Sequence, residues 1–259
     1  MGGTTLSKSL FDIKGEFYKG ERIYGVKHLE LHKRFKTDPT SLKAFVKQIA
    51  EVLVLLSDQK IVHCDLKPDN ILINKNHQPD DRYFDLKIID FGSAYDWAGD
   101  GNIGMATPEY MPPEFLHVLC THKGNGSTVQ YLAGISHPWS IDVWSLGAIL
   151  LEIITGVPLW LSLRCRVELK GKDHIKTGLF AVKGRTYDKI FIKQRNVMET
   201  FQEIISDYLE DWNEPELLFD LLVRILQWDP NLRISPKEIL EHPYVKSLNQ
   251  VLENNETLI

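Results

Sequence analysis

The stretch His63-Cys64-Asp65-Leu66-Lys67-Pro68-Asp69-Asn70 constrains the fold of this 259-residue chain more than any other. It is largely polar, yet apolar residues pin it on both sides. Upstream, Leu42, Phe45, Ile49, Val52, Leu53 and Leu56 recur at helical spacing, and Asp38-Pro39 supplies an N-cap and a first-turn proline. Downstream, Ile71-Leu72-Ile73 reads as a short strand. A carboxylate, an ammonium and an amide are therefore expected on a loop fixed at both ends by core. Such a set suits phosphoryl transfer, which needs positioning and charge neutralisation more than covalent chemistry. Asp65 would accept a hydrogen bond from an attacking hydroxyl. Lys67 would balance the charge of a transferring phosphate, and Asn70 would offer a neutral oxygen to a hard cation such as Mg²⁺.

A second feature, Asp90-Phe91-Gly92, closes the apolar strand Leu86-Lys87-Ile88-Ile89. It supplies another oxygen ligand, a hydrophobic anchor and a flexible residue. Around these two features the chain reads as a mostly helical body. Residues 1–38 suggest a short strand or hinge, then irregular structure and a short helix near residues 29–35. Residues 92–113 read as a long loop, and loops of that length in compact domains are usually functional or disordered. Residues 142–154 are apolar nearly all round and predict a central helix, with Glu152 as a satisfied buried acid. The apolar run continues to Leu161, but a helix ending near Gly156 is too short for a hydrocarbon core of roughly 30 Å. Residues 164–186 are basic and poorly periodic, so a surface segment is expected. Residues 191–209 and 215–228 look helical. Ser235-Pro236-Lys237-Glu238 is a capping box that opens a last helix.

Composition removes some classes of function. A formal net charge of −5, with mixed signs along the chain, argues against a nucleic-acid binder driven by a basic patch. Cys64, Cys120 and Cys165 are too scattered for a disulfide framework or metal spacing, which fits a reducing compartment. The opening residues carry no secretory character. No membrane partner is expected, and cytoplasm or nucleus is the default location. Cys64 reads as a passive thiol, because no base is evident beside it. Trp139, Trp144 and Trp228 read as core.

The two polar segments resemble the catalytic loop and the DFG motif of eukaryotic protein kinases. The later segments match the family in order. Thr107-Pro108-Glu109-Tyr110-Met111-Pro112-Pro113-Glu114 resembles the P+1 loop running into the APE motif, with Pro112 in place of alanine. Asp142-Val143-Trp144-Ser145-Leu146-Gly147 resembles the start of the central helix. Leu232-Arg233-Ile234-Ser235 and His242-Pro243-Tyr244-Val245 resemble the closing segment. The resemblance implies a mainly α fold with a few short strands, that of the large C-terminal kinase lobe. It implies Asp65 as catalytic base, and Lys67 as the residue that stabilises the γ-phosphate. It also implies ATP contacts from Lys67, Asp69, Asn70, Leu72 and Asp90, with Mg²⁺ held by Asn70 and Asp90. His63, Phe91, Thr107, Glu114, Asp142 and Arg233 would be structural. Glu114 would pair with Arg233, Asp142 would tie the central helix to the catalytic loop, and Thr107 would bond near Asp65 and Lys67. Lysine at position 67 is typical of Ser/Thr kinases, so ATP and a protein serine or threonine would be the substrates.

Three departures from the family pattern stand beside this. No G-x-G-x-x-G and no V-A-I-K lysine precedes His63, and Met1-Gly2-Gly3 falls about where the hinge belongs. The expectation is a partial kinase domain over residues 1–259, comprising hinge and large lobe without the small lobe, with weak nucleotide binding. Cys64 replaces the arginine common before the catalytic aspartate, so activity is expected not to depend on an activation-loop phosphate. Residues 121–138 and part of 164–186 look like insertions. Two functions stay open: a Ser/Thr kinase whose chain is incomplete, or a non-catalytic kinase-like module that binds a regulatory partner through an exposed interlobe face.

Overall fold

The computed structural model describes residues 3–18, 20–75, 84–99, 106–121, 128–169, 171–184 and 186–248. In chain order, β1 (Thr4–Thr5) leads into α1 (Leu6–Leu10), then β2 (Phe11–Tyr18), β3 (Glu21–His28), α2 (Glu30–Thr37) and α3 (Ser41–Asp58). Four short strands follow: β4 (Ile61–Val62), β5 (Ile71–Lys75), β6 (Phe84–Ile88) and β7 (Tyr95–Asp96). Next come α4 (Pro113–Thr121), α5 (Thr128–Ala133) and α6 (Ser140–Thr155). After β8 (Cys165–Leu169) and β9 (Lys172–Lys176), the chain ends in α7 (Tyr187–Glu199), α8 (Phe201–Leu209), α9 (Pro215–Ile225) and α10 (Pro236–Glu241). The fold is mainly α, with three small sheets among the described residues, ordered β1-β5-β6, β2-β3-β8-β9 and β4-β7.

α6 is the axis. All its residues are buried, as its apolar circumference predicts. It stops at Gly156, whose left-handed φ of 69° ends the helix where the sequence placed its end. No helix among the described residues is long and apolar enough to cross a membrane. Gly147 lets α6 approach the end of α9 closely. A Cβ there would lie 2.6 Å from Ile225 Cγ2 and 2.6 Å from Leu226 Cδ2. α3 buries Leu42, Phe45, Val46, Ile49, Ala50 and Leu53 in the same core. Thr40, and not Asp38, holds its N-cap position. Asp38 still serves the helix start, since its Oδ1 accepts from the Thr40 amide and its Oδ2 from the Ser41 hydroxyl. Ser235 and Glu238 close the predicted capping box on α10.

The strands depart most from expectation. Residues 11–28, read as irregular, form the antiparallel hairpin of β2 and β3. Part of residues 164–186, read as a surface segment, forms β8 and β9. The two hairpins join through a parallel β3–β8 pairing at Gly25↔Arg166. Charged side chains crowd one face of these strands and hide the period of two. Only Phe11, Val26, Cys165 and Val167 are buried on the inner face. Of residues 121–138, residues 122–127 lie outside the described residues, while α5 buries Val129 and Leu132 against Phe115 and Ile141. Residues 191–209 are not one helix: the break at Thr200 separates α7 from α8. α9 stops at Ile225, short of Trp228. Trp144 is fully buried, whereas Trp139 and Trp228 pack against the core from its border.

Candidate functional site

The site is built outward from Asp142, in the first turn of α6. Its buried carboxylate accepts from the His63 amide at 2.7 Å and the Cys64 amide at 2.9 Å. Burial pushes this carboxyl above its ordinary range, while His63 and the two amide bonds pull the other way. The two bonds hold the loop in an unusual shape, with Cys64 in the left-handed region at φ 69°. Burial and the nearby carboxylates of Asp142 and Asp65 drive the Cys64 thiol well up, which makes it an unreactive thiol at neutral pH. His63 is fully buried, and its Nε2 donates to the Ile89 carbonyl at 3.0 Å. Its ring meets Phe91 edge to face, with centroids 4.8 Å apart.

Four side chains converge on the loop this creates. Asp65 Oδ1 accepts from the Thr107 amide at 2.9 Å. Asp65 Oδ2 accepts from Lys67 Nζ at 2.6 Å and from Asn70 Nδ2 at 3.1 Å. Asn70 Nδ2 also donates to the Asp65 carbonyl at 2.8 Å, and Lys67 Nζ donates to Thr107 Oγ1 at 2.8 Å. Asp65 thus has both oxygens fixed by donors from two chain segments. Lys67 has three N–H donors and uses two of them here.

Asp90 joins from the neighbouring strand. β5 and β6 pair antiparallel with Ile71 opposite Ile88, and the Ile89 amide donates to the Asn70 carbonyl at 2.9 Å. Asp90 therefore follows directly on the residue bonded to the Asn70 carbonyl. Asp90 is exposed and left-handed, with φ 62°, and its Oδ1 accepts from the Gly92 amide at 3.3 Å. Leu72 is half-buried on β5, opposite Thr5 of β1. Asp69 accepts from the Ser7 hydroxyl at 2.7 Å, which ties the start of α1 to the loop.

Farther out, Arg233 and Glu114 form a buried bidentate pair at 2.9 and 3.2 Å. Arg233 Nη1 also donates to the carbonyl of Ser140, the first residue of α6. The Tyr110 hydroxyl donates to Glu152, so this buried acid is satisfied as expected. Burial, together with the charges of Asp69 and Glu109, holds Glu152 up at about 8 against the pull of Tyr110 and the Leu159 amide. Sequence reasoning missed Ser7, Tyr110 and Ser145, whose hydroxyl donates to the Tyr110 carbonyl. A hydroxyl in an apolar helix was the only available signal for Ser145. Ser7 carried none.

The donor set agrees with the wider comparisons. The family profile of the protein kinase domain matches residues 13–245. The chain is 31% identical over 235 residues to the mitogen-activated protein kinase mpkB of Aspergillus fumigatus, covering 84% of this chain and 58% of the relative. It is 30% identical over 264 residues to mitogen-activated protein kinase 10 of Arabidopsis thaliana, covering 91% and 56%. With Aurora kinase A-A of Xenopus laevis it shares 24% identity over 259 residues, covering 96% and 50%. The chain thus spans about half the length of these relatives.

Proposed function

The chain belongs to the protein kinase family, and we propose that it serves transfer of the ATP γ-phosphoryl group to serine or threonine of a protein. The observation that carries this reading is the Asp65 carboxylate held at both oxygens by Thr107, Lys67 and Asn70. A substrate hydroxyl donating to Asp65 would give up its proton there as its oxygen attacks the γ-phosphorus and the bond to the bridging oxygen breaks. Lys67, with its third N–H, would meet the charge on the transferring group. Thr107 keeps Lys67 in reach through its hydroxyl, and Asp142 keeps the loop rigid through two amides. Asp69 and Leu72 border the surface assigned to the nucleotide, and lysine at position 67 favours serine or threonine over tyrosine.

The residues also fit Mg²⁺. Both bonds of the Asn70 amide run from Nδ2, which leaves Oδ1 as a hard oxygen donor, and the exposed Asp90 carboxylate follows the residue bonded to the Asn70 backbone. Among the described residues no group of three or more His, Cys, Asp or Glu is placed to hold a metal. That suits an ion which completes its shell with water and phosphate oxygens. Bound there, Mg²⁺ would neutralise phosphate charge.

The test is transfer of labelled phosphate from MgATP to serine, threonine and tyrosine peptides by wild type and Asp65→Asn. A loss of roughly 10²–10⁴-fold in Asp65→Asn, with tyrosine peptides unlabelled, is expected. Undiminished transfer would sink the reading. A second reading, a non-catalytic module that binds a regulatory protein, is favoured by the Phe91 ring, which lies 47% exposed beside Asp90. It prevails if neither protein transfers phosphate while Phe91→Ala abolishes binding of a defined regulatory protein.

A further inference from the structure

Away from the catalytic loop, α2, β9, the end of α6 and the end of α8 enclose a cavity of about 370 Å³. Its floor is cationic. Lys176 is half-buried there, with its ammonium 4.2 Å from the centre of the Tyr208 ring and no carboxylate partner among the described residues. Lys33, exposed at the edge of the cavity, likewise has none among them, and His28 also lines it. Lys36 also lines the cavity but is neutralised by Asp211 at 3.3 Å. Asp207 and Glu210 are exposed at the rim, and neither forms an ion pair with the floor. An ammonium removed from water without a counter-charge is unfavourable, and a bound anion relieves that cost.

Two further observations point the same way. Thr155 lines the cavity with a buried hydroxyl that has no hydrogen-bond partner among the described residues. Two carbonyls at the end of α6, which would otherwise repel an anion, are already engaged. His32 Nε2 donates to the Ile153 carbonyl at 2.8 Å and His28 Nε2 to the Gly156 carbonyl at 3.0 Å. Burial holds the His28 ring below its ordinary value, and Lys36, Lys176 and Lys33 add to this against the hydrogen bond to Gly156. Tyr208 and the largely buried Trp212 give an organic group an aromatic wall.

We propose that this cavity binds a small phosphomonoester, with Lys33, Lys176 and Thr155 on the phosphate and Tyr208 and Trp212 against its organic part. A phosphate group presents several acceptor oxygens, enough for the two ammonium groups and the Thr155 hydroxyl together. The cavity shares no residue with the catalytic loop.

The test uses the whole chain, labelled with ¹⁵N, and titrates inorganic phosphate and phenyl phosphate at constant ionic strength. Saturable shifts at the amides of His28, Thr155 and Lys176 are expected, with phenyl phosphate the tighter of the two probes. Lys176→Met should weaken phenyl phosphate by about tenfold or more, as loss of a charged hydrogen bond does. Lys33 is exposed, so Lys33→Gln keeps the fold and should weaken binding in the same direction. Shifts confined to residues 65–70 and 90 would overturn the proposal, as would affinities that neither lysine substitution changes.

Discussion

The two ends of α6 are held by opposite means. At its start the helix supplies an acceptor: the Asp142 carboxylate takes the amides of His63 and Cys64, and Arg233 binds the Ser140 carbonyl. At its far end the helix supplies bare carbonyls, and imidazoles 121 and 128 positions upstream donate to them. An acid suits the positive end of a helix and a donor suits the negative end, so each arrangement follows the helix dipole. The first end fixes a loop of polar side chains in one geometry. The second anchors a hairpin and walls a cavity. One helix thus positions a polar loop at one end and a cavity at the other.

The largest effect should come from the first end. Arg233→Met leaves the buried Glu114 carboxylate uncompensated and frees the Ser140 carbonyl. Urea unfolding should show a loss on the order of 3–5 kcal/mol. A loss below about 1 kcal/mol would mean that the start of α6 does not depend on this pair.

The second end should respond to pH. His32, buried and close to His28, titrates at about 3 when folded, while an unfolded histidine titrates near 6.5. Its stabilising contribution is present above 6.5 and declines as pH falls toward 3. Glu152 acts in the opposite sense. Its folded value of about 8 lies above that of an unfolded glutamate, so its contribution is present at low pH and is lost as pH rises through 8. Between pH 7 and pH 5, His32→Phe should therefore lose about 2 kcal/mol less stability than wild type, and Glu152→Gln about 2 kcal/mol more. Parallel stability curves for all three proteins would remove the titration argument.

The smallest effect belongs to the half-buried cap. His28→Leu removes one donor to Gly156, and thermal unfolding should show a cost of about 1 kcal/mol. A cost equal to that of Arg233→Met would show that the two ends are equally demanding.

The contrast also explains what the sequence could reveal. The loop and Asp142 were legible because their neighbours in sequence are apolar and regular, so polar residues among them need a purpose. Arg233 and Glu114 became a pair only through the family resemblance, since nothing local joins positions 119 residues apart. Gly156 and Ser235 were legible because helix ends have local chemistry. The hairpins were not. β2 alternates only weakly, β9 is almost wholly exposed, and the partner of β3 lies beyond residue 164. His28 and His32 cap a helix more than 100 residues away, and sequence reading offers no handle on such a pairing.

The parallel joining of β3 to β8 has a consequence for how the chain is made. Ribosomes add about 5–20 residues per second, so the hairpin of residues 11–28 emerges on the order of ten seconds before residues 165–167 exist to cover it. Through that interval one flank of β3 has unmet amides and carbonyls, a template for wrong partners. The charged side chains of Asp12, Lys14, Glu16, Glu21, Arg22 and Lys27 are of the kind that disfavours such pairing at an open edge.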